Sequence, residues 1–144
     1  MSKKPKKKPK YNADSAIRSA LRRTFSRSPV VREVMMVVRR ERPWFKKDGS
    51  AASKPRVEYL CSKCNDWHMG KDIQVDHAVP VVDPDVGFVN WDTYVSRLFC
   101  PKENLSVLCK TCHKEKTDQE KAVAVERRKR LKEFISLVKQ PGDD

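Results

Sequence analysis

Four cysteines arranged as two CxxC pairs constrain this chain more than any other feature of its sequence. The pairs are Cys61-Ser62-Lys63-Cys64 and Cys109-Lys110-Thr111-Cys112, with 44 residues between them. A two-residue spacer lets both sulfurs of a turn face one ion, and two such pairs supply the four thiolates of a tetrahedral zinc site. A fold closed in this way brings residues 61–64 and 109–112 together, along with whatever lies beside them. Val75-Asp76-His77 sits between the pairs and His113 follows Cys112 directly. An acidic oxygen and two imidazoles are thereby drawn toward one place, a set that suits a second, open metal centre able to hydrolyse a phosphodiester. A thioredoxin-like redox role is the alternative for either pair, but it predicts one pair near a βαβ unit, not two. Cys100 reads as a small buried hydrophobe. His68 could replace a cysteine ligand, but with four thiols present it reads as a surface residue.

At 144 residues, with 38% apolar and 35% charged side chains, the chain has the length of one domain and a modest core that a structural metal would supplement. No apolar run approaches about 20 residues, so no membrane span is expected. Lysines open the sequence without an apolar segment behind them, so no secretory signal is expected either. Both point to a reducing cytoplasm, where CxxC pairs hold metal more often than they form disulfides.

The net charge is +13, and its distribution is uneven. Residues 1–10 carry six lysines and no acid, and residues 11–47 carry ten basic and three acidic groups. Residues 48–108, which contain Asp76 and His77, carry six basic and nine acidic groups, a net −3. The N-terminal third is thus a cationic footprint for a polyanion, with nucleic acid the natural partner. The locally acidic stretch is where a divalent cation would be wanted.

Residues 1–10 form a Lys/Pro tail expected to be disordered. It reads equally as a solubilising tail or as a phosphate-binding arm through Lys3, Lys4, Lys6, Lys7 and Lys8. Residues 11–47 form a basic helical region. Asn12 is a candidate N-cap, Ile17 and Leu21 lie four apart, and Arg18, Arg22 and Arg23 make a face that could follow a phosphate backbone. Ser28-Pro29 restarts the pattern, and Val30, Val34 and Val38 make a core stripe. Pro43 ends this unit and Asp48-Gly49-Ser50 reads as a loop. Residues 56–140 form the cysteine-bearing domain. Strands are expected at 56–60, 71–77 and 105–108, a capped helix at 91–99, and a long helix from Thr111 to Gln140 closed by Pro141-Gly142. Leu131, Phe134, Ile135 and Val138 make the apolar stripe of that helix, and Arg127 to Arg130 an exposed basic block.

Taken in order, CSKC, VDHAVP, ENLSVLC and KTCHKEKT make residues 61–117 resemble the HNH endonuclease family. The likeness is strongest to the small zinc-containing HNH proteins of tailed bacteriophages. It covers about 57 residues of the chain. The resemblance implies an α+β fold: a ββα-metal unit braced by the four-cysteine zinc site, with N-terminal helices and a long C-terminal helix. It implies one catalytic divalent ion (Mg²⁺, Mn²⁺, Ni²⁺ or Zn²⁺) held by Asp76 and His113, with His77 as general base. Asn104 would hold the loop and orient His77. The implied activity is hydrolysis of duplex DNA to 5′-phosphate and 3′-hydroxyl ends. The implied setting is a host cytoplasm, beside a phage terminase and portal. The competing reading is a non-catalytic zinc-ribbon-type nucleic-acid-binding module, which accounts for the cysteines and the charge but not for Asp76, His77 and His113 together.

Overall fold

The computed structural model describes residues 10–139, so Lys3, Lys4, Lys6, Lys7, Lys8, Gln140 and Pro141-Gly142 lie outside the described residues. The element order is α1 (Ala13–Ser26), α2 (Pro29–Val37), β1 (Arg39–Arg42), β2 (Arg56–Leu60), β3 (Trp67–Met69), β4 (Ile73–His77), α3 (Trp91–Leu98), β5 (Leu105–Cys109) and α4 (Lys110–Val138). This is an α+β arrangement of helices, two small antiparallel sheets and a long last helix. Asn12 caps α1, its side chain accepting from Ser15 N–H at 3.0 Å. Asn90 caps α3 in the same way, accepting from Thr93 N–H at 2.8 Å. Both bonds satisfy an amide that the first helical turn leaves without a partner. Ser28 stands at the start of α2 but makes no capping bond. Pro29 at the first helical position removes one amide that would otherwise need an acceptor.

One sheet runs β1-β2-β3 and the other pairs β4 with β5. The region 11–47 is therefore not wholly helical. Arg39–Arg42 pairs with Arg56–Leu60, Arg40 opposite Glu58 and Arg42 opposite Arg56. The sequence RRER shows no apolar alternation, which is why periodicity missed it. Its stabilisation is cross-strand: Glu58, only 7% exposed, takes ion pairs from Arg40 at 2.7 Å and Arg42 at 3.3 Å. The expected strand 71–77 starts later, at Ile73, after a short 3-10 turn over Gly70–Asp72.

Two clusters form the core. Ile73, Val107 and Leu108 pack with Cys61, Cys109 and Cys112, and Val34, Met35 and Val38 close over them. Phe25, Val81, Tyr94 and Leu98 make the second, with Leu21, Val30 and Val31 against it. The stripe on α2 thus serves both clusters, as its spacing predicts. The stripe on α4 does not pack: Leu131 is 55% and Phe134 64% exposed. Ile135 and Val138 are exposed as well. Its basic block is partly engaged. Arg130 pairs with Asp85, and Arg127 lies over Gly87, whose φ of +90° suits glycine. Cys100 is half-buried, not buried as read from sequence.

The hydrogen bond from Arg40 is the main reason the Glu58 carboxyl sits below its ordinary value of 4.5, against the opposing effect of burial. A depressed acid adds stability that is complete above its unfolded pKa and disappears as pH falls through its folded one. The gap in melting temperature between wild type and Glu58→Gln should therefore be constant near neutrality and shrink below about pH 4.5. A gap independent of pH down to about pH 3 would sink this account of β1.

Candidate functional site

The cysteines converge. The sulfurs of Cys61, Cys64, Cys109 and Cys112 all lie within 4.8 Å of one another, and among the described residues this is the one cluster of three or more such donors able to share an ion. Sulfurs about 2.3 Å from a tetrahedral zinc are about 3.8 Å apart, so the donor set fits that ion. Local folding builds it. Cys61 directly follows β2, Cys109 ends β5, and Cys112 lies in the first turn of α4. Cys109 N–H donates to the Cys61 sulfur at 3.3 Å and Cys112 N–H to the Cys109 sulfur at 3.4 Å. Asn65 takes the left-handed φ of 59° that lets the chain turn after Cys64, a conformation Asn tolerates well.

Burial alone would push the Cys61 thiol up. Amides of Cys64, Cys109 and Lys63 outweigh it and draw the thiol down to about 6. Burial and the neighbouring sulfurs push the Cys112 thiol up to about 12. Four sulfurs this close can all be thiolates only if a cation meets their charge, which is the chemistry of a structural metal. His68 is not a bystander: its Nε2 lies 3.6 Å from the Cys64 sulfur. The first CxxC turn is also tied to α4 by Lys63 and Glu115, 2.7 Å apart.

The same braces bring the other predicted residues together. Antiparallel pairing of β4 with β5 puts Ile73 opposite Cys109 and Asp76 opposite Ser106, and α4 packs back across both strands so that His113 and Lys116 reach Asp76. Asp76 Oδ1 is 3.7 Å from His113 Nε2. That is longer than a hydrogen bond, and two donors each about 2.1 Å from one ion stand about 3–4 Å apart. Asp76 and His113 therefore fit as two ligands of one divalent cation. His77, next along β4, turns the other way. Its ring packs 4.9 Å from Phe25, and its Nε2 is 2.8 Å from the Leu98 carbonyl oxygen. A carbonyl only accepts, so Nε2 carries a hydrogen, and in a neutral ring the lone pair is then on Nδ1.

Asn104 holds the loop after β4. Its Oδ1 accepts from Val79 N–H at 2.9 Å, and its backbone oxygen accepts from Ala78 N–H at 2.8 Å. The group bonded to the His77 ring is the Leu98 carbonyl, not Asn104. Two residues enter in ways that sequence reasoning missed. Lys116 bonds Asp76 Oδ2 and the His77 backbone oxygen, leaving Asp76 Oδ1 toward His113. Its signal was visible as the i, i+3 spacing from His113 on a helix. Arg22 donates its Nε to the hydroxyl of Tyr94 at 3.1 Å, and Tyr94 is 1% exposed. Cavities of about 420 and 270 Å³ share Arg22, Asp76, His77 and His113 in their walls. Arg18 instead lies 5.8 Å over the Phe88 ring, and Arg23 sits in the last turn of α1.

The chain matches no family model, no curated protein and no solved structure. Among the described residues, no helix is long and apolar enough to cross a membrane. What the site can do rests on its own geometry.

Proposed function

We propose that this chain is a metal-dependent DNA endonuclease of the HNH type, with β4, β5 and the first turns of α4 as its ββα-metal unit. One observation carries the reading: Asp76, His77 and His113 meet at the wall of a single cleft, with Asp76 and His113 spaced for one cation. Asp76 and His113 would hold Mg²⁺, Mn²⁺, Ni²⁺ or Zn²⁺, a mixed oxygen and nitrogen donor pair that does not select sharply among them. Such an ion, when bound, supplies Lewis-acid stabilisation of charge on the phosphate and leaving oxygen. His77 takes the proton from the attacking water at Nδ1, while the Leu98 carbonyl fixes its tautomer and ring. Arg22, pinned by Tyr94, places a cation on the same wall, where a phosphate oxygen can meet it. Asn104 keeps the loop after His77 in register. The products are 5′-phosphate and 3′-hydroxyl ends.

A zinc-ribbon-type binding module accounts for the cysteines and the charge but gives no reason for the cleft's Asp-His-His wall. A link to phage genome packaging comes with the family resemblance alone. The decisive assay is conversion of supercoiled plasmid to nicked circles on addition of Mg²⁺ or Mn²⁺. Asp76→Ala and His113→Ala should each raise the metal concentration giving half-maximal nicking. Absence of nicking by wild type with every metal tested would end the nuclease reading.

A further inference from the structure

The hairpin spanning residues 39–56 is a strongly basic surface that the site does not use. It carries Arg39, Arg40, Arg42, Lys46, Lys47, Lys54 and Arg56 against two acids, Glu41 and Asp48. Its strands put Arg40, Arg42, Arg56 and Glu58 on one face, since Arg40 pairs with Glu58 and Arg42 with Arg56. Glu58 neutralises part of that charge from below and fixes the two arginines it binds. Tryptophans lie against two of the arginines. Arg40 stacks 3.9 Å over Trp67 and Arg56 stacks 4.6 Å over Trp44. Among the described residues, Lys46, Lys47, Lys54 and Arg56 make no ion pair with an acidic side chain.

The tip is ordered rather than trailing. Trp44 Nε1 donates to the Lys54 carbonyl at 3.1 Å, Phe45 bridges to Ala51, and Lys46 N–H donates to Ser50 O at 2.8 Å. Asp48 closes the turn by accepting from Ser50 N–H at 2.9 Å. This rigid tip holds Phe45 69% exposed, with Lys46 and Lys47 following it directly. Arginines held flat by stacking and unpaired lysines suit phosphates, and a two-stranded ribbon is of a size to enter the major groove. An exposed ring at such a tip can contact base edges or wedge into a step.

We propose that the 39–56 hairpin is a duplex-DNA grip, its cations holding phosphates and Phe45 entering a groove. It extends the nuclease reading by naming the surface that gives affinity, yet its test does not depend on cleavage. Fluorescence anisotropy on a labelled duplex of about 20 base pairs, over a series of salt concentrations, reads it. The protein is the full chain with its zinc, carrying His77→Ala and given no other divalent ion. The triple variant Lys46→Gln, Lys47→Gln, Lys54→Gln should bind at least about ten-fold more weakly and flatten the salt slope by about two to three. Phe45→Ala should weaken binding several-fold and leave the slope alone. All four positions are exposed, and unchanged melting curves establish that the variants are folded. Unchanged affinity and slope in the triple variant would overturn the grip. Tighter binding of the matching single strand, with quenched tryptophan emission, would overturn the groove contact in favour of base stacking on the sheet. Absent nicking by the wild type alongside a hairpin-dependent slope would remove the nuclease reading and leave the grip standing.

Discussion

Cys109→Ser is expected to unfold the protein rather than to weaken one function. Of the ten buried apolar residues among those described, three are the cysteines Cys61, Cys109 and Cys112. The cluster they share with Ile73, Val107 and Leu108 thus joins the hydrophobic core to the four-cysteine set that could hold a metal ion. A structural zinc contributes on the order of 10 kcal/mol, comparable with the whole stability of a typical domain, about 5–15 kcal/mol. Cys109 is also the hinge of the arrangement. It ends β5, precedes α4, and accepts at its sulfur the amide of Cys112. Its loss should release β4 from β5 and the first turn of α4 from both. Far-UV circular dichroism, thermal melting and zinc content of the purified protein read this. Cys100→Ser, at a half-buried residue outside the cluster, is the control and should retain both zinc and a near-normal melt. Wild-type melting in Cys109→Ser, or no zinc in the wild type, would remove the structural-metal reading.

The parts of the fold legible in the sequence are those set by local chemistry. Asn12 and Asn90 announce their helices because an Asx side chain satisfies an amide that nothing else reaches. CxxC spacing marks the cysteine cluster because sulfur geometry leaves few other uses for two such pairs. The α2 stripe follows from helical period. The parts that were not legible depend on partners far along the chain. β1 is four charged residues, held as a strand by Glu58 opposite Arg40 and by the stacking of Arg40 over Trp67 from β3. The apolar positions of α4 follow a helical period, yet no part of the described chain covers Phe134. Period alone reports that a face exists, not what meets it. In the site, the meeting of Asp76 with His113 followed from the cysteine braces. The Leu98 carbonyl on His77 and the buried Tyr94 on Arg22 did not, since both arrive from α3, an element whose docking no spacing predicts.

His77→Ala should abolish most nicking while leaving metal and DNA binding in place. General-base catalysis contributes typically about 10²–10⁴-fold, so the turnover rate should fall by that order. The half-maximal metal concentration should stay where it is, because the proposed donors of the ion are Asp76 and His113, 3.7 Å apart. The variant must also be folded for this comparison to mean anything. The His77 ring touches Phe25 and the Leu98 carbonyl, and removing a half-buried ring should cost no more than about 1–2 kcal/mol. A matching melt within a few degrees, with full zinc content, separates chemistry from collapse. Exogenous imidazole supplies the missing lone pair without the chain, so it should restore part of the activity of His77→Ala. It should restore none to Asp76→Ala, whose defect is in holding the cation. The two variants thus separate the proposed proton transfer at His77 from the proposed cation binding at Asp76. Equal nicking by His77→Ala and wild type would take the base role away from His77, whatever Asp76 and His113 then proved to bind.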